Sequence, residues 1–361
     1  MINGKGPFNF ILDTGVGILL ITEPTLLDSL DDSETRAIRI NGIGEGNGMT
    51  ALIHPSAQID IGNSIRGTMP VAILKEEAFN LSSFVGMPIH GLIGYELFSS
   101  FIIQINYSLK TVTYYRHETA YIPRKGTKIA ISIEDRKPYI QSELVFANGK
   151  EKIVKLIIDT GAGHPISLET EDGIPYEVPE KRIPANLGVG LSGIINGYIG
   201  RVPKMRLGKY SFNNMICAFP DYKDVAAKIP TINRNGNLGN ETLRRFNVVF
   251  DYSRETLYLK PNYAFREPYE HDMSGLEITT DGDNFEGIII VRVEPNSSAE
   301  KLGLKRGDRI LSVNFKKVPE FGIEEIHTLF KSRENRSIVL EVKYSNSKES
   351  KFMILSLQRR I

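Results

Sequence analysis

Apolar positions in this chain fall in short runs. Phe8 to Leu12, Val71 to Leu74, Phe101 to Ile105, Ile153 to Ile158 and Val248 to Phe250 are apolar and rich in β-branched residues, and polar or turn-forming residues separate them. That is the pattern of short buried strands. Helical periodicity is scarce. It predicts two short helices, near Glu96 to Ser100 and Glu241 to Arg245, each close behind a glycine, and one amphipathic helix over Ile323 to Lys331. Further strands are predicted over Gly287 to Val293, Ile338 to Lys343 and Phe352 to Leu357. The fold class read from this pattern is mainly β.

The runs ending at Leu12 and Ile158 lead into the same tripeptide, Asp13-Thr14-Gly15 and Asp159-Thr160-Gly161, 146 positions apart. At that spacing Gly17 matches Gly163, Gly42 matches Gly188, Gly44 matches Gly190, Gly62 matches Gly208 and Met69 matches Met215. After one deletion the match continues. Gly91-Leu92-Ile93-Gly94 aligns with Gly236-Asn237-Leu238-Gly239, Glu96 with Glu241, Phe101 with Phe246 and Tyr107-Ser108 with Tyr252-Ser253. Average residue usage puts one accidental Asp-Thr-Gly in roughly one chain in ten of this length. Two in matching surroundings mean a duplicated unit. Two copies are too few for a solenoid or propeller, so two lobes sharing a cleft are expected.

An Asp at the end of a buried strand is poorly solvated, and the Thr-Gly after it adds a hydroxyl and a sharp turn. These residues resemble the aspartic proteases, both the pepsin-like enzymes with two lobes in one chain and the retroviral ones built from two identical chains. The resemblance implies a mainly β chain in which two pseudo-symmetric retropepsin-like lobes form one aspartic-protease fold. Leu92-Ile93-Gly94 and Leu238-Gly239 match the segment that closes each lobe, with Asn237 standing where an apolar residue is usual. It also implies an aspartic-type endopeptidase in which Asp13 and Asp159 are catalytic, while Thr14, Gly15, Thr160 and Gly161 support them. Two carboxylates at about 3 Å and an effective dielectric of about 20 repel by roughly 5 kcal/mol, about 4 pKa units. They share one proton, as the dyads of that family do. One then acts as base toward water and the other as acid toward the scissile carbonyl.

Two glycine-dense segments lie in the interval where such a cleft needs a cover, Gly42-Ile43-Gly44-Glu45-Gly46-Asn47-Gly48 and Gly188-Val189-Gly190-Leu191-Ser192-Gly193. Gly42, Gly44, Gly46, Gly188, Gly190 and Gly193 are the candidate flap residues. A phosphate loop does not fit the first segment, which has neither a Gly-x-Gly-x-x-Gly register nor a following Lys-Ser or Lys-Thr.

Beyond Pro261 the repeat ends, and Asn262 to Asp272 is a polar connector. Gly287 to Val293, Ser297-Ser298-Ala299, Gly303-Leu304 and Gly307-Asp308-Arg309-Ile310 resemble a PDZ domain, with Ser298 and Leu302 as mild departures from the bacterial pattern. The resemblance implies a module that takes an extended peptide beside a sheet edge, with Ser274, Gly275 and Leu276 as the loop for a terminal carboxylate. The domains so delimited are 1–118 for lobe 1, 119–266 for lobe 2 and 267–361 for the PDZ domain.

At 361 residues the chain is long enough for three cores. A net charge of +1 with 24% charged residues argues against a nucleic-acid surface. Cys217 is the sole cysteine, which excludes an internal disulfide and a cysteine zinc site. The six histidines lack metal-ligand spacing, so no cofactor or metal is expected, and His164, three residues after Gly161, is read as a packing or surface residue. No apolar run is long enough to span a membrane, and no signal peptide follows Met1. The second copy has two strand-like segments ahead of its triplet, Ile129 to Ile133 and Tyr139 to Phe146, where the first copy starts shortly before Asp13. This suggests an N-terminal truncation with a lost leader, and an extracytoplasmic location. The expected partners are a polypeptide substrate and a peptide or protein C-terminus, with the chain a monomer. The competing reading is a non-catalytic peptide-binding scaffold or receptor with a degenerate protease fold.

Overall fold

The computed structural model describes residues 1–361 apart from 30–34, 41, 47, 63, 77–79, 119–125, 226–233 and 283. The chain is mainly β and divides into two compact units, Met1–Phe79 with His90–Tyr269, and Asn80–Ile89 with Glu270–Ile361. The lobe boundary expected at 118 and 119 touches residues outside the described set.

In the first copy, β1 (Phe10–Leu12), β2 (Leu19–Ile21), β3 (Arg36–Ile40), β4 (Met49–Ile61) and β5 (Ile65–Leu74) are followed by α1 (Leu81–Val85) and β6 (Gly91–Ile93). The six strands form one sheet in the order β1-β6-β2-β5-β4-β3. Then come α2 (Tyr95–Ser100), β7 (Ile102–Asn106), β8 (Thr111–Tyr115) and β9 (Thr127–Ala130). The second copy supplies β10 (Ser132–Glu134), β11 (Lys137–Val145), β12 (Glu151–Asp159), β13 (Ile166–Leu168), the small pair β14 (Thr170–Glu171) and β15 (Ile174–Pro175), β16 (Ile183–Gly190), β17 (Gly193–Leu207), β18 (Tyr210–Pro220) and β19 (Gly236–Gly239). Its sheet has eight strands in the order β10-β11-β12-β19-β13-β18-β17-β16.

The repeat in sequence is a repeat in topology. β1 runs parallel to β6, β6 antiparallel to β2, β2 parallel to β5, and β5, β4 and β3 close the sheet antiparallel. β12, β19, β13, β18, β17 and β16 follow the same sequence of pairings. The second sheet adds β10 and β11, which have no counterpart in the first among the described residues. After α3 (Asn240–Leu243), β20 (Phe246–Asp251) and β21 (Thr256–Pro261) complete a five-stranded sheet, β8-β7-β20-β21-β9, in which strands of both copies pair. Ile103 faces Phe250 and Ile105 faces Val248 there. Both short helices predicted behind glycines therefore form, as α2 and α3, and Phe98 of α2 packs edge-on against Phe250 at 5.1 Å. Buried aromatic contact of this kind ties the two copies into one core.

In the second unit, β22 (Leu276–Asp281), β23 (Gly287–Val293), α4 (Ser298–Lys301), β24 (Arg309–Val313), β25 (Lys316–Lys317), α5 (Ile323–Phe330), β26 (Ser337–Lys343) and β27 (Ser350–Ser356) build a sheet ordered β22-β23-β24-β26-β27, with β25 on β24. Ile278, Ile290, Ile326, Phe330 and Leu340 are fully or almost fully buried in its core. Alternation of apolar residues along β22 and β26, and helical spacing along α5, place these side chains on one side. Residues 80–89, which lie within the sequence of the first copy, belong to this unit. The Thr280 hydroxyl donates to the carbonyl of Ser83 at 2.7 Å, and Asn80 caps α1 by accepting from the Ser83 N–H at 3.0 Å.

Candidate functional site

The two Asp-Thr-Gly turns meet inside the first unit. β1 and β6 are parallel partners, and the amide of Asp13 extends their ladder by donating to the Ile93 carbonyl at 2.8 Å. β12 and β19 pair the same way up to Asp159 with Gly239. Each threonine then reaches into the other copy. The Thr14 amide donates to Thr160 Oγ1 at 3.1 Å and the Thr160 amide to Thr14 Oγ1 at 3.0 Å. The Thr14 hydroxyl donates to the Ile158 carbonyl at 2.6 Å, and the Thr160 hydroxyl to that of Leu12 at 2.7 Å. Thr14 is fully buried, so these bonds form away from water and hold firmly.

Crossed threonines force the carboxyls together. A Cβ on Gly161 would lie 2.5 Å from Asp13 Cγ, and one on Gly15 would lie 3.2 Å from Asp159 Oδ2. Only glycine allows that approach at residue 161. Asp159 lies close enough to Asp13 to act on its carboxyl. The Gly15 amide donates to Asp13 Oδ1 at 2.7 Å, while Asp159 Oδ1 accepts from the Gly161 and Ala162 amides, each at 3.0 Å. Burial first, and then the negative charge of Asp159, push the Asp13 carboxyl well above the usual carboxylate range against the Gly15 bond. A carboxyl raised in this way keeps its proton to higher pH than a free one and can donate it to a ligand oxygen.

Three further groups reach this pair: Asn237 and His164, which the sequence named without a role at the site, and Lys137, which it did not single out. Asn237 Nδ2 donates to Asp159 Oδ2 at 3.0 Å. Lys137 is half-buried, and burial first and then the charge of Arg234 hold it below the usual lysine range, against the pull of Asp135, Asp159 and Asp13. His164 is half-buried with Nε2 unpartnered, and burial lowers its pKa against the pull of Asp159, so the ring is neutral and polar beside the second triplet. In the sequence, the one available signal for Asn237 was its place in an otherwise apolar segment.

The two glycine segments bind each other. The Gly42 amide donates to Ser192 Oγ at 3.2 Å, the Gly46 amide to the Ser192 carbonyl at 2.6 Å, and the Ser192 amide to the Ile43 carbonyl at 3.0 Å. Gly44 sits at φ +129°, and a Cβ there would lie 2.4 Å from the Gly193 carbonyl. A Cβ on Gly190 would meet the Ile43 carbonyl at 2.1 Å, whereas Gly188, at φ +133°, has open space around it. Of the first segment, Asn47 lies outside the described residues.

In the second unit, Asp272 Oδ1 accepts from the Ser274 amide at 2.8 Å and the Gly275 amide at 3.3 Å, and Ser274 Oγ accepts from the Leu276 amide at 3.0 Å. The loop expected to hold a terminal carboxylate thus has its amides engaged by side chains of its own. β22 follows as an edge strand, paired with β23 alone among the described residues. No group of His, Cys, Asp and Glu with metal-binding geometry occurs among the described residues, and no helix there is long and apolar enough to cross a membrane.

Residues 289–343 match the family model for the PDZ domain. The chain is similar to a photosystem II D1 C-terminal processing protease at 22% identity and TM-score 0.23, over 24% of this chain and 23% of that one. It is similar to a PDZ domain protein from Parabacteroides distasonis at 26% identity and TM-score 0.20, over 23% and 19%. The HtrA3 PDZ domain bound to a phage-derived ligand is similar at 22% identity and TM-score 0.19, over 23% and 80%. The matched part of this chain spans less than a quarter of the first two. No curated protein matches the chain. The C-terminal unit therefore carries a PDZ domain. The expectation of an aspartic-type endopeptidase is not what these comparisons name: they name a C-terminal processing protease, a PDZ domain protein and the HtrA3 PDZ domain, and none is named as an aspartic protease.

Proposed function

We propose that this chain handles extended polypeptides, with its PDZ domain as a peptide-binding module and the Asp13–Asp159 pair as a site that activates water against a bound carbonyl. The observation that carries this reading is the crossed threonine bonding that brings each carboxyl against the glycine of the other triplet. Two buried carboxyls side by side cost free energy unless they have a task.

On this reading Asp13 carries the shared proton, because its surroundings disfavour charge, and Asp159, with three N–H donors on it, is the base. Asp159 takes a proton from water as the oxygen adds to the carbonyl carbon. Asp13 gives its proton to the carbonyl oxygen, forming a tetrahedral diol. Collapse returns a proton to the leaving amine and leaves a carboxylic acid. Thr14, Gly15, Thr160 and Gly161 hold the pair, and the loops at Gly42, Gly44, Gly46, Gly188, Gly190 and Gly193 part and close over the chain being held. The two copies are then pseudo-symmetric retropepsin-like lobes, 1–118 and 119–266, with the PDZ domain at 267–361.

Incubation of the purified protein with an unfolded protein between about pH 4 and 7 tests this, with the Asp13→Asn and Asp159→Asn variants alongside. Fragments are expected from the parent protein and from neither variant. Fragments from both variants would end the proposal, and binding without fragments in the parent would assign the chain to peptide capture as a scaffold.

A further inference from the structure

The two ends of α5 meet the two ends of β22, so the helix runs alongside the edge strand and leaves between them the groove into which a PDZ domain takes a peptide as an added strand. At one end the Met273 amide donates to the Phe330 carbonyl at 3.0 Å, which puts the last residue of α5 beside the Ser274-Gly275-Leu276 loop. At the other end Ile323, the first residue of α5, and Thr280, near the end of β22, both stand within van der Waals reach of Gly86. A Cβ on Gly86 would lie 3.1 Å from Ile323 Cγ2 and 3.4 Å from Thr280 Cγ2.

Gly86 arrives there on a segment that is internally tied. Asn80–Ile89 belongs to the same compact unit as the PDZ strands. α1 packs against β22, and Thr280, only 3% exposed, gives its hydroxyl proton to the Ser83 carbonyl. Ser82 closes the segment on itself. Its carbonyl accepts from the Gly86 and Met87 amides at 2.8 and 3.2 Å, and its hydroxyl accepts from the Ile89 amide at 2.9 Å. Gly86 sits at φ +80°, the left-handed turn that ends α1, and carries no side chain at the point of closest approach to Ile323 and Thr280.

We infer that Asn80–Ile89 is an internal stop at the far end of the PDZ groove, an inference that rests on the peptide-binding reading of this domain. A peptide whose terminus lies at the Ser274-Gly275-Leu276 loop runs antiparallel to β22 and reaches Thr280 after about four residues, at roughly 3.4 Å each. Those residues fit beside the docked segment. The next ones meet α1 and Gly86, so a longer stretch enters only as Asn80–Ile89 leaves and the bond between Thr280 and Ser83 breaks. The groove therefore takes short chain ends directly, and takes longer extended segments in exchange for a loop that runs in sequence straight into β6.

A reversible lock tests this in the full chain. A Cβ on Gly86 would lie 3.9 Å from Ile323 Cβ, within the span of a disulfide, so Gly86→Cys with Ile323→Cys is expected to oxidise in the folded protein, while Cys217 is buried. Ligands are selected on the reduced protein from random eight-residue peptides with a free C-terminus. They are then measured by anisotropy at full length and trimmed to their last four residues, in both redox forms. Oxidation should weaken the eight-residue peptides at least about tenfold and leave the four-residue ones within about twofold. Thr280→Val, which removes only the bond to Ser83, should tighten the eight-residue peptides about threefold or more. Eight-residue peptides that bind both redox forms alike would overturn the inference, as would cysteines that stay reduced in the folded protein or an oxidised form that loses both lengths equally. A pool from which neither the reduced protein nor Thr280→Val retains any peptide would overturn the peptide-binding reading itself, and the stop with it.

Discussion

Asn237 donates its side-chain amide to Asp159 Oδ2 across 3.0 Å, and the matching residue of the first copy, Leu92, has no side-chain donor to offer Asp13. Both stand at the centre of the strand that flanks the triplet, Leu92 opposite Ile11 and Asn237 opposite Ile157. The duplicated site is therefore unequal by one hydrogen bond. A bond to a charged acceptor contributes roughly 1.5 to 3 kcal/mol. Replacing Asn237 by Leu restores the symmetry of the repeat and removes that bond. On the proposed chemistry, hydrolysis falls about ten- to a hundredfold in kcat with little change in KM. Steady-state kinetics on a peptide substrate measure this, and an unchanged kcat would show that Asn237 serves only packing.

The raised pKa of Asp13 makes a statement about stability. A carboxyl whose folded value exceeds its unfolded one contributes stability that is fully present below the unfolded value, about 3.9, and lost as pH rises through the folded value. The parent protein accordingly carries an electrostatic penalty at the pair near neutral pH. Asp13→Asn removes the charge while keeping the shape. Thermal melts of this variant should lie above those of the parent at about pH 7 and converge with them at about pH 3. A variant that melts lower at neutral pH would mean that the ionised pair is better solvated than its surroundings imply.

Thr14 and Thr160 each donate to a strand carbonyl of the other copy and accept from the other threonine's amide. Changing either to Val strands both partners, at about 1 to 3 kcal/mol. The two changes act on one network, so the double variant should lose less than the sum of the singles. Urea unfolding of the four proteins gives the coupling directly. Additive losses would mean that the two threonines stabilise the fold independently.

Much of this was legible in the chain because the signals are periodic or duplicated. Alternating apolar runs fixed the mainly β class, and the doubled Asp-Thr-Gly with its trailing glycines predicted two like sheets whose triplets meet. What escaped depends on contacts between residues far apart or on a single side chain in a turn. Residues 80–89 join the second unit through a bond between Thr280 and Ser83, 197 positions apart, which no local pattern encodes. Asn237 reads as a flaw in an apolar segment until the strand pairing turns it toward Asp159. The short Asn-Gly-Lys at 3–5 and 148–150 is a repeat too small to stand out, yet it marks where the two sheets part company.

Asp272 occupies the loop that the PDZ resemblance offers to a peptide terminus. Its carboxylate accepts from the Ser274 and Gly275 amides and Ser274 Oγ from that of Leu276, the three amides of that loop. A second carboxylate arriving there competes for occupied donors. Burial has already pushed the Asp272 carboxyl upward, ahead of the opposing bonds from Ser274 and Gly275. Matched peptides ending in a free acid or an amide should therefore bind the parent protein within about twofold of each other. Asp272→Ala frees two backbone donors, and the preference for the free acid should rise to roughly tenfold, the value of one charge-assisted bond. Anisotropy titrations with both peptides measure the ratio. A parent protein that already prefers the free acid tenfold would mean that Asp272 swings away on binding, and an Asp272→Ala protein with no preference would mean that the loop amides do not face the ligand.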